Sequence, residues 1–169
     1  MIRQERASDY NEIHEVIKEA FKTVENSDHR EPILVDKLRQ TDAYMKELAL
    51  VYIEDNKIVG HICYSECFIG EHPVLALAPV SVLPAYQNKG IGTALIEASL
   101  ERAKWSGFSA VIVVGHADYY PRFGFQQVDT TAISLPFEVP AENFMILPLY
   151  KGSLTDVMGE VVYAAPFTE

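Results

Sequence analysis

The sequence has little cysteine: Cys63 and Cys67 are the only two in 169 residues. On one extended strand, residues four apart lie roughly 13 Å from each other. A disulfide requires Cα atoms within about 7 Å, so this pair cannot form one unless the strand folds back. No cluster of histidine and cysteine at ligand spacing accompanies them. We therefore expect free thiols, a reducing compartment and no metal site.

Long apolar segments are also missing. No apolar run in the sequence reaches the roughly 18 residues that span a bilayer. The opening residues, MIRQERASDY, are charged and lack the apolar centre of a signal peptide. These two absences predict a cytoplasmic protein with no membrane partner.

Positive charge is scarce as well. The chain has 14 lysines and arginines against 24 aspartates and glutamates, which gives a net charge of −10. No cluster of basic residues is longer than a pair. Such a surface repels the phosphates of nucleic acid, so we expect no nucleic-acid partner. It would favour a cationic amine as substrate, although solubility alone explains the same charge equally well.

The overall composition of the chain is that of a folded domain. The chain is 49% apolar and 22% charged, which excludes a disordered protein. Its length is sufficient to bury one hydrophobic core, and no linker or internal repeat divides it. We therefore expect a single domain over residues 1–169.

The hydrophobic periodicity predicts the order β, α, α, β, β, β, α, β, α, β, followed by further strands. Asp9 is expected to cap the first helix, with Glu12 completing a capping box. A hairpin turn is expected at Asp55-Asn56, and a helix C-cap at Gly107. The predicted strands are Ile2–Arg6, Leu48–Glu54, Lys57–Cys67, Pro73–Val82, Ala110–Gly115, Phe144–Leu147 and Val161–Ala164. The first predicted helix ends at Phe21, the second runs from Pro32 to near Gln40, and the third runs from Thr93 to Trp105. One or two further helical turns are expected within Asp118–Phe123.

The long helix lies between the strands at 74–82 and 110–115. Such a crossover implies that these two strands are parallel and that the connection is right-handed. The hairpin that precedes them is antiparallel. The sequence therefore predicts an α/β fold with a mixed sheet.

The segment from Leu77 to Leu95, LAPVSVLPAYQNKGIGTAL, combines an apolar strand, a proline corner, a glycine-containing loop and a helix start. A loop that leads into a helix N-terminus presents backbone N–H groups and a positive helix dipole. Gly90 and Gly92 would let a phosphate approach the backbone closely. Neither G-x-x-x-x-G-K-[ST] nor G-x-G-x-x-G occurs here, which excludes the two common phosphate loops. We expect a phosphorylated cofactor bound in another way.

A V-x-V strand followed by Q-x-x-G-x-G resembles motif A of the GNAT N-acetyltransferase superfamily. The resemblance implies that acetyl-CoA is the cosubstrate, that the loop holds its pyrophosphate, and that strand backbone groups meet its pantetheine arm. It also implies a central sheet flanked by helices and splayed between the strands at 74–82 and 110–115. Lys89 would either add charge to the site or simply face water. The cofactor-binding residues so implied are Val80, Val82, Gln87, Asn88, Lys89, Gly90, Ile91, Gly92 and Thr93.

A second segment, GHADYYPRFGF at residues 115–125, resembles the motif B region of the same superfamily. There a tyrosine lies four residues before the glycine of a Gly-Phe pair, which is the spacing of Tyr120 and Gly124. The resemblance implies that Tyr120 is the general acid that protonates the departing CoA thiolate. A packing role for Tyr120, or the acid role for Tyr119, remains open.

The resemblance covers nearly the whole chain. The opening strand and helix, the second helix EPILVDKLRQ and the tail FEVPAENFMILPL are similar to a bacterial subgroup of predicted N-acetyltransferases. Ala117 stands where that subgroup often has proline, a difference that would loosen the corner holding Tyr120.

The general base is not identified by the sequence, because the strand VLALAPVSV has no acidic residue. The candidates elsewhere are Glu31, His61, Glu66, His72 and His116. His116 is favoured because it follows a strand beside the expected cofactor site. Ordered water, or an amine that arrives already neutral, is an equal alternative.

The leading hypothesis is an acetyl-CoA-dependent N-acetyltransferase that acts on a primary amine of a small molecule, peptide or protein. No cysteine occupies an obvious nucleophile position, which favours direct transfer in a ternary complex. The alternative is a non-catalytic acyl-CoA-binding sensor. Pocket shape, which the sequence does not show, would decide between N- and O-acylation and between acyl chains. The sequence does not decide the oligomeric state, and a homodimer is one alternative.

Overall fold

Nine β-strands and three α-helices follow one another along residues 1–169 of the computed structural model. The strands are β1 (Ile2–Gln4), β2 (Leu50–Glu54), β3 (Lys57–Ile69), β4 (His72–Val82), β5 (Ala110–Val114), β6 (Gln126–Gln127), β7 (Ile133–Ser134), β8 (Phe144–Pro148) and β9 (Gly159–Val162). The helices are α1 (Tyr10–Phe21), α2 (Glu31–Leu38) and α3 (Ile91–Ala103). The chain forms two compact units, residues 1–64 with 78–102 and residues 65–77 with 103–169. The predicted α/β class is confirmed.

The first unit contains the strand order β1-β2-β3-β4, in which β1–β2 and β2–β3 are antiparallel. The hairpin between β2 and β3 turns at Asp55 and Asn56, whose φ angles are 54° and 59°. Two consecutive left-handed residues form the tight turn whose twist matches that of the flanking strands. The predicted hairpin is therefore confirmed.

Helix α1 buries the side chains that recur at helical spacing, Ile13, Val16, Ile17 and Ala20. The predicted capping box at its start is wrong. The Asp9 carboxylate instead accepts hydrogen bonds from the Arg3 guanidinium at 2.7 and 3.0 Å. The Glu12 carboxylate accepts one from the backbone N–H of Ile58 at 2.8 Å. Both acidic groups connect α1 to neighbouring strands, which local spacing does not reveal.

Helix α3 begins at Ile91, two residues before the predicted start, and ends at Ala103. Gly107 has a φ of 89° but lies four residues beyond that end, so its predicted role as C-cap is wrong. Ser106 closes the helix instead. Its backbone N–H and its hydroxyl donate to the Ala103 carbonyl at 3.0 and 2.6 Å.

The second unit contains the strand order β4-β5-β8-β6. The predicted parallel pair β4–β5 is confirmed, with Leu75 opposite Val111 and Ala76 opposite Ile112. This ladder is two residue pairs long, although β4 continues to Val82. Strand β9 pairs with both β3 and β7, so the tail folds back onto this unit. The core here is formed mainly by Cys67, Ile69, Val74, Ile112, Val128, Phe144, Ile146, Val157 and Val161.

A buried charge cluster lies in the first unit. The Glu5 side chain is 4% exposed and accepts hydrogen bonds from Arg39 Nη2 at 3.0 Å, Tyr44 at 2.8 Å and His61 Nε2 at 2.8 Å. Burial alone would raise the pKa of Glu5, but the hydrogen bonds from His61 and Arg39 outweigh it and lower the pKa to about 2. Burial also lowers the pKa of His61. A neutral His61 therefore donates through Nε2, and its Nδ1 has no partner.

We expect Glu5→Gln to lower the free energy of unfolding by about 3 kcal/mol, because it leaves the buried Arg39 with only the more distant and more exposed carboxylate of Asp36, at 3.4 Å. The folded-state pKa of Glu5 lies below its ordinary value of 4.5. Its stabilisation is therefore complete above about pH 4.5 and is lost as the pH falls towards 2. Urea unfolding at pH 7 and pH 3 measures both effects. The matched control is Glu15→Gln on the exposed face of α1, which should change stability by less than about 0.5 kcal/mol. Equal stability of the two variants would contradict this account.

Candidate functional site

Two hydrogen bonds hold the first part of the loop after β4. Leu83 N–H donates to the Val59 carbonyl at 2.9 Å, and residues Pro84–Tyr86 form a 3₁₀ turn. The Gln87 side-chain amide then donates to the Val82 carbonyl at 3.0 Å. Gln87 therefore ties the loop back to the strand that precedes it.

The centre of the loop is open to solvent. Gln87, Asn88, Lys89 and Gly90 are all exposed. Asn88 and Gly90 have left-handed backbones, with φ of 62° and 83°. A Cβ added to Gly90 would meet no atom within 4 Å, so the space beside this residue is empty. Such a loop can receive a large anion against its backbone.

Helix α3 begins directly after this loop. Its first backbone bond runs from Ala94 N–H to the Gly90 carbonyl at 2.9 Å. A helix of this length carries partial positive charge at its N-terminus, where N–H groups lack intrahelical partners. The start of α3 therefore adds positive potential to the loop, as the sequence predicted.

The start of α3 is fixed by close packing on β3. A Cβ at Gly60 would lie 3.0 Å from Ile91 Cγ2 and 3.0 Å from Leu95 Cδ1. Both of these side chains are buried. Gly60 was missed in the sequence because a single glycine inside a strand carries no specific signal.

Two ammonium groups lie near the loop, one on each side of Tyr86 in sequence. Lys89 Nζ is 5.4 Å and Lys57 Nζ is 5.1 Å from the centre of the Tyr86 ring. The Tyr86 hydroxyl donates to Asp55 at 3.0 Å. Lys57 and Tyr86 were not predicted as site residues, since Lys57 is brought to the loop by the hairpin rather than by sequence proximity.

In the second unit, Tyr120 lies against the end of β5. A Cβ at Gly115 would lie 2.3 Å from the ring atom Cε2 of Tyr120, so only glycine allows this contact. The ring also makes edge contacts with Tyr119 and Phe125, at 5.1 and 5.6 Å between centroids. Burial, and to a lesser extent Tyr119, raises the pKa of Tyr120 to about 12. Its phenol therefore stays protonated at neutral pH.

The turn that carries Tyr120 runs from Tyr120 to Phe123 and ends at Gly124, whose φ is 100°. The predicted turn before Gly124 is therefore confirmed. The backbone N–H of Tyr120 donates to the His116 carbonyl at 3.3 Å. Ala117, where the related subgroup often has proline, does not prevent this corner from forming.

The candidate bases lie in different environments. His61 is fully buried and bonded to Glu5, so it has no access to a substrate. Glu31 accepts a hydrogen bond from Ser27 through Oε2, while its Oε1 is buried without a partner. His116 is exposed directly after Gly115. Glu66 and His72 are half-buried on β3 and β4.

Three further observations concern metals, disulfides and membranes. No group of three or more His, Cys, Asp or Glu side chains is arranged to hold a metal ion. Cys63 and Cys67 are free thiols, as predicted, and both are buried. None of the helices combines the length and the apolar character needed to cross a bilayer.

The sequence matches the profile of the acetyltransferase (GNAT) family over residues 10–125. It is 35% identical over 141 residues to the uncharacterized N-acetyltransferase YjhQ of Escherichia coli K12, a match that covers 80% of this chain and 75% of that protein.

Two solved structures are also similar. A GNAT family acetyltransferase from Brucella melitensis, solved in complex with acetyl-CoA, has a TM-score of 0.83 and 34% identity, covering 99% of this chain and 97% of that one. Escherichia coli YhbS, solved in complex with CoA, has a TM-score of 0.89 and 23% identity, covering 100% of this chain and 92% of that one, and shows the same fold. The profile match and the identity to these relatives show together that the chain belongs to the GNAT family of acetyltransferases.

Proposed function

We propose that this protein is an acetyl-CoA-dependent N-acetyltransferase that acetylates a primary amine by direct transfer in a ternary complex. The observation that carries the proposal is the open loop Gln87–Gly90 leading into α3. The Brucella relative that was solved with acetyl-CoA supports it. We further propose that residues 1–169 act as one domain, because the family profile draws on both compact units.

The loop fits the pyrophosphate of acetyl-CoA by charge and by shape. The protein carries a net charge of −10, so an anion needs a local region of positive potential. The N-terminus of α3, Lys57 and Lys89 provide one. The empty space beside Gly90 admits phosphate oxygens close to the backbone. We propose that Val80, Val82 and residues 87–93 together bind the cosubstrate.

The reaction requires two proton movements. The amine nitrogen attacks the thioester carbonyl carbon, a C–N bond forms and the C–S bond breaks. The nitrogen gives up a proton, and the departing sulfur takes one. We propose that Tyr120 gives the sulfur its proton, because its spacing to Gly124 matches the tyrosine of the motif B region and its phenol is protonated at neutral pH.

For the proton on nitrogen, we propose water or the exposed side chain of His116 as acceptor. Burial and the bond to Glu5 remove His61 from the candidates. Glu31 and Glu66 remain alternatives, and Glu31 is already engaged by Ser27 through one oxygen.

A second candidate function is an acyl-CoA sensor without catalytic activity. The observation in its favour is the absence of any acidic residue in the β4 segment VLALAPVSV. Thiol release from acetyl-CoA across a panel of primary amines, with mass spectrometry of the products, separates the two. Acetylated amine supports the enzyme. Tight acetyl-CoA binding with no product from any amine supports the sensor.

We expect Gly92→Val and Gly90→Ala each to weaken acetyl-CoA binding at least about tenfold, an effect of about 1.4 kcal/mol. In Gly92→Val a branched side chain occupies the first turn of α3. In Gly90→Ala a Cβ is added to a residue with a φ of 83° beside the proposed phosphate site. Isothermal titration calorimetry with acetyl-CoA measures the change.

Gly107→Ala is the matched control, because Gly107 has a φ of 89° and equally empty space around it, yet lies outside the loop. It imposes similar backbone strain and should leave acetyl-CoA affinity unchanged. Wild-type affinity in Gly92→Val would show that the loop assignment is wrong.

Tyr120→Phe removes the phenolic proton and keeps the ring that packs on Gly115. We expect turnover to fall by about 10²–10⁴-fold, the usual contribution of a general acid. Acetyl-CoA affinity should be preserved. The measurement is single-turnover thiol release with an amine that proves to be a substrate.

Tyr119→Phe is the control, since it also removes one phenol from the same turn. It should keep wild-type turnover. If Tyr120→Phe turns over at the wild-type rate while chemistry limits the reaction, Tyr120 only packs and solvent protonates the thiolate.

A further inference from the structure

The tip of the β2–β3 hairpin contacts the turn that leads into the proposed cosubstrate loop. The Tyr86 hydroxyl donates a hydrogen bond to the Asp55 carboxylate at 3.0 Å. Further along β3, the Val59 carbonyl accepts a hydrogen bond from the Leu83 N–H at 2.9 Å. All four residues belong to the first compact unit. These two bonds therefore hold the hairpin tip against the start of the loop.

The geometry of the hairpin fixes the position of Lys57. Asp55 and Asn56 form the two-residue turn, and Lys57 is the register partner of Glu54. A tight turn of this type leaves the residues that flank it little conformational freedom. Because Tyr86 holds Asp55, the backbone of Lys57 has a fixed place beside the turn that leads into the loop.

The Lys57 side chain lies against the same tyrosine and stays accessible. Its Nζ is 5.1 Å from the centre of the Tyr86 ring, which is within the distance of a cation–π contact. The side chain is exposed, and none of the ion pairs in the structure involves it. The ring positions the ammonium group without neutralising its charge, so Lys57 can still bind an anion.

Lys57 and Lys89 supply positive charge from two different parts of the chain. Lys89 Nζ is 5.4 Å from the centre of the same ring, but Lys89 belongs to the loop whose backbone is proposed to hold the pyrophosphate. Lys57 comes from the start of β3 and is not part of that backbone. It is therefore available for a second negative group of the same ligand.

CoA carries such a second group. Besides the pyrophosphate in the middle of the molecule, it has a phosphate monoester on the 3′ oxygen of its ribose. A phosphate monoester has a charge of about −1.5 to −2 at neutral pH. On a protein with a net charge of −10, this group needs a local cation to offset the repulsion. The exposed ammonium group of Lys57 has the charge and the accessibility that a terminal phosphate requires.

We propose that Lys57, held at the hairpin tip beside Tyr86, binds the 3′-phosphate of CoA and makes the protein select CoA over 3′-dephospho-CoA. This inference rests on the proposed binding of acetyl-CoA. It goes beyond that proposal by assigning one lysine to one phosphate and by naming the cosubstrate feature that the lysine recognises.

The test compares CoA with 3′-dephospho-CoA, which lacks only the monoester, by isothermal titration calorimetry at low salt. We expect wild-type protein to bind CoA about threefold to fivefold more tightly, because an exposed ion pair contributes up to about this much. Lys57→Met should remove this preference by weakening the binding of CoA alone. Its affinity for 3′-dephospho-CoA should stay at the wild-type value.

Two further variants are the controls. Lys57→Arg keeps the positive charge and should retain the preference for CoA. Lys18→Met removes an exposed lysine from α1, so it changes the net charge by the same amount, and it should also retain the preference. In 1 M salt, where charges are screened within about 3 Å, wild-type protein should lose most of the preference. Melting temperatures show whether each variant is folded.

Failure of the inference and failure of the proposed function give different results. If Lys57→Met keeps the wild-type preference, or weakens the binding of both ligands equally, the inference is overturned and cosubstrate binding stands. Loss of the preference in Lys89→Met but not in Lys57→Met also overturns it, since the monoester then contacts the loop itself. If wild-type protein binds neither CoA nor acetyl-CoA, the proposed function fails.

Discussion

The contact of the first turn of α3 with Gly60 determines where the proposed cosubstrate loop lies. Ile91 and Leu95 approach the β3 backbone so closely that any Cβ at position 60 would press against both side chains. Because these two residues are buried there, the residues just before them must leave β4, turn at Pro84–Tyr86 and emerge into solvent at Gln87–Gly90. A Cβ at position 60 would force these two side chains, or the helix turn that carries them, to move by a few tenths of an ångström.

Phosphate binding at the loop and proton donation by Tyr120 have different electrostatic requirements. At the loop, a helix N-terminus and the ammonium groups of Lys57 and Lys89 create positive potential on a protein of strongly negative net charge. At Tyr120 the requirement is the opposite, since the group must keep its proton. The ordinary tyrosine pKa of 10 already ensures this at neutral pH, and burial raises the pKa of Tyr120 further, to about 12. The sulfur can then be protonated by a group that is itself neutral at physiological pH.

The features predicted correctly from the sequence are those that short segments specify. The Asp55-Asn56 turn and the turn before Gly124 depend on residues adjacent in the chain, and both are confirmed. The capping box at α1 failed because Glu12 reaches a backbone N–H 46 residues away, and no local pattern encodes that partner. His61 was kept among the candidate bases for a similar reason. Its hydrogen bond to Glu5, which excludes it, joins residues 56 positions apart and is not encoded in any local pattern. The packing of Tyr120 on Gly115 could not be predicted from the sequence either, although the spacing to Gly124 had identified Tyr120 as the candidate general acid.

Backbone amide NMR can test whether the loop before α3 binds the phosphates of acetyl-CoA. CoA and pantetheine are titrated separately into the isotope-labelled protein. Pantetheine has the same thiol arm but lacks the pyrophosphate and the nucleotide. We expect CoA to shift the amide signals of Asn88, Lys89, Gly90 and Gly92, and pantetheine to leave them near their free positions. Binding of CoA without any shift in these four amides, or equal shifts with pantetheine, would contradict it.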